Sequence, residues 1–397
     1  MIIEYNPMHC GHLHLMEKTR ARLGADTAAV GVMSGDYVQR GDFAILRRHA
    51  RAEAAVRGGM DLVLEMPLPW AVSSAERFAD GGVQALAATG VVTHLAFGSE
   101  CGDADALAEV AACLDSELYH AGLRRFLGEG MSFAACRQAA VGGILGPERA
   151  ALLETPNNNL GVEYCKALLR HAPGIRPLTV PRQGDAHDAE VWAGGNPSAA
   201  AIRRLLRSGE REQALALMAP AMRDVYEKEE AAGRAPVFLD TCERAVLARL
   251  RSMSEADFAA LDEGREGLCN RLYAASRTAV SVAEVLEAAK TKRYAYARLR
   301  RMVLWAYLGL TPGEFPKTIP YLRVLAANET GRRLLAQMRG TAAVPVLTKP
   351  NHVRRLDKAA QELFALEARA AGLYALAYPN LAAAGGGGAW KEGPVMV

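Results

Sequence analysis

Three things are scarce in this 397-residue chain. Its seven cysteines are scattered without close pairs, which argues against a disulfide framework and for a reducing compartment. No apolar run approaches membrane-spanning length and no signal peptide opens the chain, so the expected location is the cytoplasm, with no membrane partner. Charge of one sign is also lacking. The 47 Lys and Arg nearly balance the 44 Asp and Glu, and a formal +3 does not by itself announce a nucleic-acid binder. Apolar material is plentiful: half of the residues are hydrophobic, enough for sizeable cores, and the length predicts two domains.

The first dozen residues are the most informative. Met1, Ile2 and Ile3 suit a short buried strand that runs into a turn at Asn6-Pro7; His9-Cys10-Gly11-His12 and a helical stretch to about Leu23 follow. A strand ending at the mouth of a sheet, a bare glycine and a helix N-terminus together make an anion site. The first N–H groups of a helix are unpaired, and its dipole is positive there. Two imidazoles beside it can donate to a phosphoryl group as charge builds during transfer. This points to chemistry at the α-phosphate of a nucleotide; the plain alternative is a pair of surface or core histidines. Zinc is disfavoured, because no carboxylate or thiol stands at a helical i, i+4 offset, and Cys10 is expected to point away. A strand that opens at Met1 also leaves room for a translation start a few residues upstream.

Strand-like and helical stretches alternate through the first half. Strands are predicted at 28–33, 61–64, 94–97 and 175–180, and helices at 44–57 and 74–88. The fold class is therefore α/β, a doubly wound parallel sheet. Such sheets bind ligands at the carboxyl ends of their strands, where His9, Ser34, Glu65 and Gly98 all fall. Beyond Arg207 no strand is legible. Apolar spacing at i, i+3, i+4 predicts helices at 243–250, 282–289, 296–308 and 356–376, a mainly α-helical C-terminal domain. The expected division is 1–207 for nucleotide chemistry, 208–380 for the helical domain, and 381–397 for a flexible tail around the glycines 385–388.

His-x-Gly-His after the first strand is the signature of the nucleotidylyltransferase superfamily. The longer string Glu4-Tyr5-Asn6-Pro7-Met8-His9-Cys10-Gly11-His12 resembles one family within it, the bacterial tRNA(Met) cytidine acetate ligases. Matches follow in that family's order at 33–41, Arg51-Ala52-Glu53, 61–67, 74–79, Phe97-Gly98-Ser99-Glu100, 156–161 and 320–325, so the resemblance covers most of the chain. It implies a Rossmannoid nucleotidylyltransferase fold. It also implies a ligase that activates acetate with ATP as acetyl-adenylate and acetylates N4 of the wobble cytidine of elongator tRNA(Met). Mg²⁺ is expected as charge neutraliser. No protein partner is inferable.

The resemblance also assigns residues. His9 and His12 stabilise the transferring group, and Arg20 holds the β- and γ-phosphates. Ile3, Glu4, Tyr5, Asn6, Pro7, His9, Gly11, His12, Gly98, Asn158, Arg182, Gln183, Ser198 and Arg203 surround ATP. The chemistry of the residues leaves other readings open. Asn157 is a natural N-cap, and Asn158 suits a cap as well as a ligand. Ser198 suits a plain N-cap and Arg203 a solvated cation; an alanine also replaces a hydroxyl common midway between them. The chain runs about one residue short after Arg182, which leaves the places of His187 and Asp188 open. Lys290, Lys292, Arg293, Tyr294, Arg298 and Arg301 interleave cations with aromatics, which suits phosphate contacts plus base stacking on tRNA. A solvated basic helix face is the alternative. Two rivals from other classes stand: a small-molecule adenylyl- or cytidylyltransferase of cofactor biosynthesis, and a non-catalytic RNA-binding protein that kept the fold.

Overall fold

The computed structural model describes residues 1–182, 197–261, 267–312 and 316–397. Gln183, His187 and Asp188 lie outside them. Its strands are β1 (Ile2–Ile3), β2 (Val30–Ser34), β3 (Tyr37–Val38), β4 (Asp42–Phe43), β5 (Leu62–Met66), β6 (His94–Ser99), β7 (Arg176–Pro181), β8 (Leu322–Ala327), β9 (Val346–Leu347) and β10 (Val395–Met396). The main sheet runs β1-β2-β5-β8-β10, with β9 on β8. β2 and β5 are buried along their whole length. Helices cover both faces of such strands, so they read as short continuous apolar runs. β6 and β7 form a separate parallel pair.

The alternating elements fall where the sequence predicts them, with three departures. The sheet is mixed rather than wholly parallel, because β8 runs antiparallel to β5. Strands also lie beyond Arg207. The run Leu-Arg-Val-Leu-Ala-Ala of β8 has a composition that suits a helix equally well, and it becomes a strand by pairing with β5, far away in sequence. β9 and β10 are two residues each, too short for any periodicity to show. The chain beyond 207 thus completes the sheet of the chain before it.

The third departure is the tail. The glycine run is a bend and not a free end: Gly387 has φ +80, and β10 then pairs parallel with β8. Between them Trp390 packs on Phe364 with ring centroids 4.6 Å apart, and the Ala389 carbonyl accepts from Arg323 Nη2 at 3.1 Å. A glycine-rich composition reports backbone freedom, but the apolar and hydrogen-bonding partners around 389–396 decide where that backbone goes.

One buried cation ties the carboxyl rim together. Arg51 sits in helix α2 (Arg48–Arg57) with no exposure to solvent. Its guanidinium donates to the carbonyls of Glu4, Ser34, Gly35 and Leu46, the first three being the ends of β1 and β2. Burial pulls its pKa down, and the neighbouring Tyr374, Asp36 and Glu4 pull the other way. Arg51→Met should orphan these buried acceptors and lower unfolding stability by about 3 kcal/mol or more. Urea denaturation checks this, and a loss under about 1 kcal/mol contradicts it.

Candidate active site

The turn after β1 is held rigidly. Tyr5 takes a left-handed φ of +46 while 4% exposed, and its ring lies 4.7 Å from that of His12. A non-glycine residue in that region is strained by roughly 1–3 kcal/mol and persists only where its surroundings over-determine it. Asn6 Oδ1 accepts from Ile45 N at 2.8 Å, and the Asn6 carbonyl accepts from Arg203 Nη1 at 2.7 Å. Glu4 Oε1 accepts from Ser34 Oγ at 2.9 Å and from Gln39 N at 2.8 Å. Ile3, Tyr5, Asn6 and Pro7 are all buried, so their side chains shape the turn from beneath.

That turn delivers the chain into helix α1 (Cys10–Leu23), whose N-cap is His9. The two histidines cap the helix reciprocally. His9 Nδ1 accepts from Gly11 N at 3.2 Å, and His12 Nδ1, at the third helical position, accepts from His9 N at 3.1 Å. This is a capping box built from imidazoles, and it satisfies two otherwise orphaned donors. It also fixes the ring chemistry. A nitrogen that accepts carries no proton, so each neutral ring is its Nε2–H tautomer and turns a donor away from the helix backbone. The ring centroids are 4.0 Å apart.

Gly11 keeps the space between them clear. A Cβ there would lie 3.0 Å from His9 Cε1 and 3.1 Å from Nδ1, so the His9 ring would have to give by a few tenths of an ångström against its cap. His9, Gly11 and His12 line a cleft whose opposite wall is Gly98, Val180 and Arg182. Gly98 keeps that wall thin, because a Cβ would stand 3.3 Å from Arg182 Cγ.

The remaining sequence candidates divide. Ser198 is the N-cap of the helix Ala199–Arg207, its Oγ accepting from Ala201 N at 2.9 Å, and Arg203 of that helix holds the Asn6 carbonyl. Burial lowers the Arg203 pKa, and Asp42 and Glu4 offset this. Asn158 is 4% exposed and its Oδ1 accepts from Cys101 N at 3.0 Å.

The N-cap of the helix Pro156–His171 is Thr155, not Asn157, because Pro156 takes the first helical position. Glu100 supplies the capping groups instead. Its carboxylate accepts from Asn157 N, Asn158 N and Asn157 Nδ2 at 3.2, 2.7 and 2.6 Å. Burial pushes the Glu100 pKa up, but these bonds outweigh it and hold the carboxyl below its usual range. Sequence reading gave Glu100 no role. The available signal was an acid directly after the Gly-Ser that ends a strand.

Arg20 is a correction. It sits near the far end of α1, where its guanidinium donates to the carbonyls of Gly59 and Thr27 and pairs with Asp61 at 3.3 Å. Asp61 precedes β5, so this is the amino rim of the sheet, opposite the histidines. At 1.5 Å per residue, Arg20 stands about 12 Å further along α1 than His12.

The basic segment is corrected in part. Tyr294 is 5% and Arg301 9% exposed, so both belong to the helical core rather than to a stacking surface. Arg298 lies over the Tyr294 ring at 5.5 Å, and Lys290 donates to the Thr291 carbonyl at 2.7 Å. Lys292 and Arg293 are exposed.

A helix N-terminus with two imidazole donors, on the carboxyl rim of parallel strands, is the arrangement in which proteins of the α/β class commonly bind nucleotide phosphates. The family model described as HIGH Nucleotidyl Transferase matches residues 1–386. A tRNA(Met) cytidine acetate ligase of Syntrophomonas wolfei is 34% identical over 100% of this chain and 98% of its own. One from Acetivibrio thermocellus is 34% identical over 96% and 95%. The crystal structure of Thermotoga maritima TmcAL bound with alpha-thio ATP aligns at a TM-score of 0.93 and 32% identity, covering 100% and 98% of the two chains. The chain belongs to the HIGH nucleotidyl transferases and, among them, to the tRNA(Met) cytidine acetate ligase family.

Gly11→Ala should displace the His9 ring and weaken ATP binding about tenfold, the scale expected of misplaced catalytic groups, while the fold is retained. Calorimetric titration with ATP reads this; unchanged affinity contradicts the geometry given for the pair.

Proposed function

We propose that this chain activates acetate with ATP and transfers the acetyl group to N4 of the wobble cytidine of elongator tRNA(Met). The observation that carries the reading is the reciprocal imidazole cap of α1, in a chain similar over its whole length to ligases of that name. ATP lies with its phosphates over the start of α1. An acetate oxygen attacks the α-phosphorus and pyrophosphate leaves, giving acetyl-adenylate. The Nε2–H groups of His9 and His12 donate to the oxygens on which charge builds, so catalysis is positioning plus electrostatics. Arg182 on the far wall and Arg203 beneath the turn add positive potential. The cytosine N4 amine then attacks the acetyl carbonyl, AMP leaves, and N4 loses a proton.

Gly98 and Asn158 belong to the wall facing the adenosine half in this reading, and Glu4 stays among the residues around ATP, held by Ser34 and Gln39. Among the described residues no three His, Cys, Asp or Glu side chains gather as metal ligands, so the Mg²⁺ expected with ATP is assigned no step. Among the described residues no helix is long and apolar enough to cross a membrane; the cytoplasm, where tRNA is modified, is the proposed location. Lys290, Lys292, Arg293 and Arg298 are the cations proposed to face tRNA.

Incubation with ATP, labelled acetate and total bacterial tRNA should place label on one cytidine of tRNA(Met). His12→Ala should reduce acetate-dependent pyrophosphate release at least about a hundredfold, as expected for loss of a donor to a developing anion. Undiminished release, or label on no nucleoside, overturns the reading.

A further inference from the structure

One flank of the turn that carries the histidines is rich in guanidinium groups. Arg203 donates to the Asn6 carbonyl at 2.7 Å. The charges that act on Arg203 are the carboxylates of Asp42 and Glu4 and the guanidiniums of Arg207 and Arg300. Arg207 ends the helix that carries Arg203 and is exposed. Arg300 is half-buried and comes from the helix Tyr296–Leu308, far away in sequence.

Backbone contact fixes Arg300 beside the turn. Gly41, in the hairpin between β3 and β4, has φ +76, and a Cβ there would stand 2.4 Å from Arg301 N and 2.9 Å from Arg300 Cβ. Two residues back, Gln39 N donates to Glu4 Oε1 at 2.8 Å. Two residues of chain span at most about 8 Å, so the Arg300 side chain starts within roughly 16 Å of the Glu4 carboxylate.

Both guanidiniums are held but not spent. That of Arg207 lies 4.7 Å from the centre of the Phe238 ring, and that of Arg300 lies 5.0 Å from the centre of the Tyr296 ring. A guanidinium stacked on a ring loses little freedom on binding and keeps its N–H edge for an acceptor. The nearby carboxylates are engaged elsewhere: Glu4 by Ser34 and Gln39, and Asp42 Oδ1 by Phe43 N. Asp240 approaches Arg207 only to 3.6 Å, and both side chains are exposed, so that pair contributes little. Among the described residues no carboxylate pairs with Arg300.

The phosphates of ATP lie in the histidine cleft, which neither arginine lines. Two stacked guanidiniums outside that cleft suit a second polyanion, and the reaction proposed above brings one, the RNA backbone. Contacts to backbone phosphates set register and orientation without reading sequence.

We propose that Arg207 and Arg300 bind backbone phosphates of the substrate RNA beside the target cytidine and so seat that nucleotide at the turn that carries the histidines. This rests on the function proposed above and extends it from the reaction to the placement of the RNA.

Charge removal tests it. Arg207→Gln and Arg300→Gln alter side chains at the surface, so each should keep the melting temperature within a few degrees. Acetate-dependent ATP–pyrophosphate exchange without tRNA should keep its rate and its KM for ATP. kcat/KM for tRNA acetylation should fall on the order of tenfold in each variant. Salt dependence adds a readout that a merely structural role would not move. Each lost phosphate contact should make the slope of log affinity for tRNA against log salt shallower by about 0.7 to 0.9, and the double variant by about twice that. Arg300→Lys keeps the charge and should restore the slope.

Neutral methylphosphonates, placed one at a time around the target cytidine, then locate the contacts. At one or two positions the unmodified enzyme should lose the factor that a single Gln variant loses, and the double variant should lose nothing further there. An unchanged slope with undiminished kcat/KM in the double variant would overturn the proposal. So would a slope that Arg300→Lys leaves as shallow as Arg300→Gln does, or losses that multiply at every methylphosphonate. A raised KM for ATP in the exchange assay would give the pair to the ATP phosphates and overturn it too. Absence of acetate-dependent exchange in the unmodified enzyme would overturn the function itself and the proposal with it; the separate exchange and transfer assays keep these failures apart.

Discussion

The site depends on one reciprocal contact: each of two histidines accepts, through Nδ1, a backbone N–H at the start of the same helix. A capping box ordinarily uses Ser or Thr with Glu, whose oxygens are spent on the cap. Imidazole has a second nitrogen. The local bonds that stabilise the first turn of α1 therefore also orient two Nε2–H donors, at the helix end already favourable to a phosphate. Folding of the turn therefore also sets the two donors of the proposed phosphate site. The spacing His-x-x-His follows from the cap, which joins the N-cap to the third helical position, and the glycine between them leaves the His9 ring the space that a Cβ at 3.0 Å would crowd.

The cap is useful only if the chain enters it at a fixed angle. Arg51 supplies part of that constraint by holding the carbonyls at the ends of β1 and β2. Asn6, Glu4 and Arg203 supply the rest through bonds to Ile45, Gln39 and the Asn6 carbonyl itself. Charged groups buried at a strand rim need partners, and here the partners are the turn that carries the histidines. Strain at Tyr5 is a consequence of this over-determination.

What was legible in the sequence followed local rules. β2, β5 and β6 are short apolar runs, and His9 and His12 fall at a helix start because capping acts within one helical turn. What was missed is non-local or directional. β8 becomes a strand only through β5, and the tail is ordered by Phe364 and Arg323, none of which its glycines foretell. Arg20 was assigned to the phosphates by the resemblance, whereas its partners Gly59 and Asp61 hold it at the amino rim of the sheet. Tyr294 and Arg301 carry the composition of an RNA surface, yet packing turns both inward. Pro156 moved the helix start back from Asn157 by fixing the first helical position, and Glu100 took the capping role across space.

The central claim concerns ring nitrogens, so histidine ¹⁵N NMR addresses it most directly. The chain has nine histidines, few enough to assign by single substitutions. The account predicts that His9 and His12 are Nε2–H tautomers near neutral pH, and that ATP shifts their Nε2 signals while Nδ1 keeps its acceptor character. Nδ1–H tautomers at either residue, or Nε2 signals indifferent to saturating ATP, would contradict it.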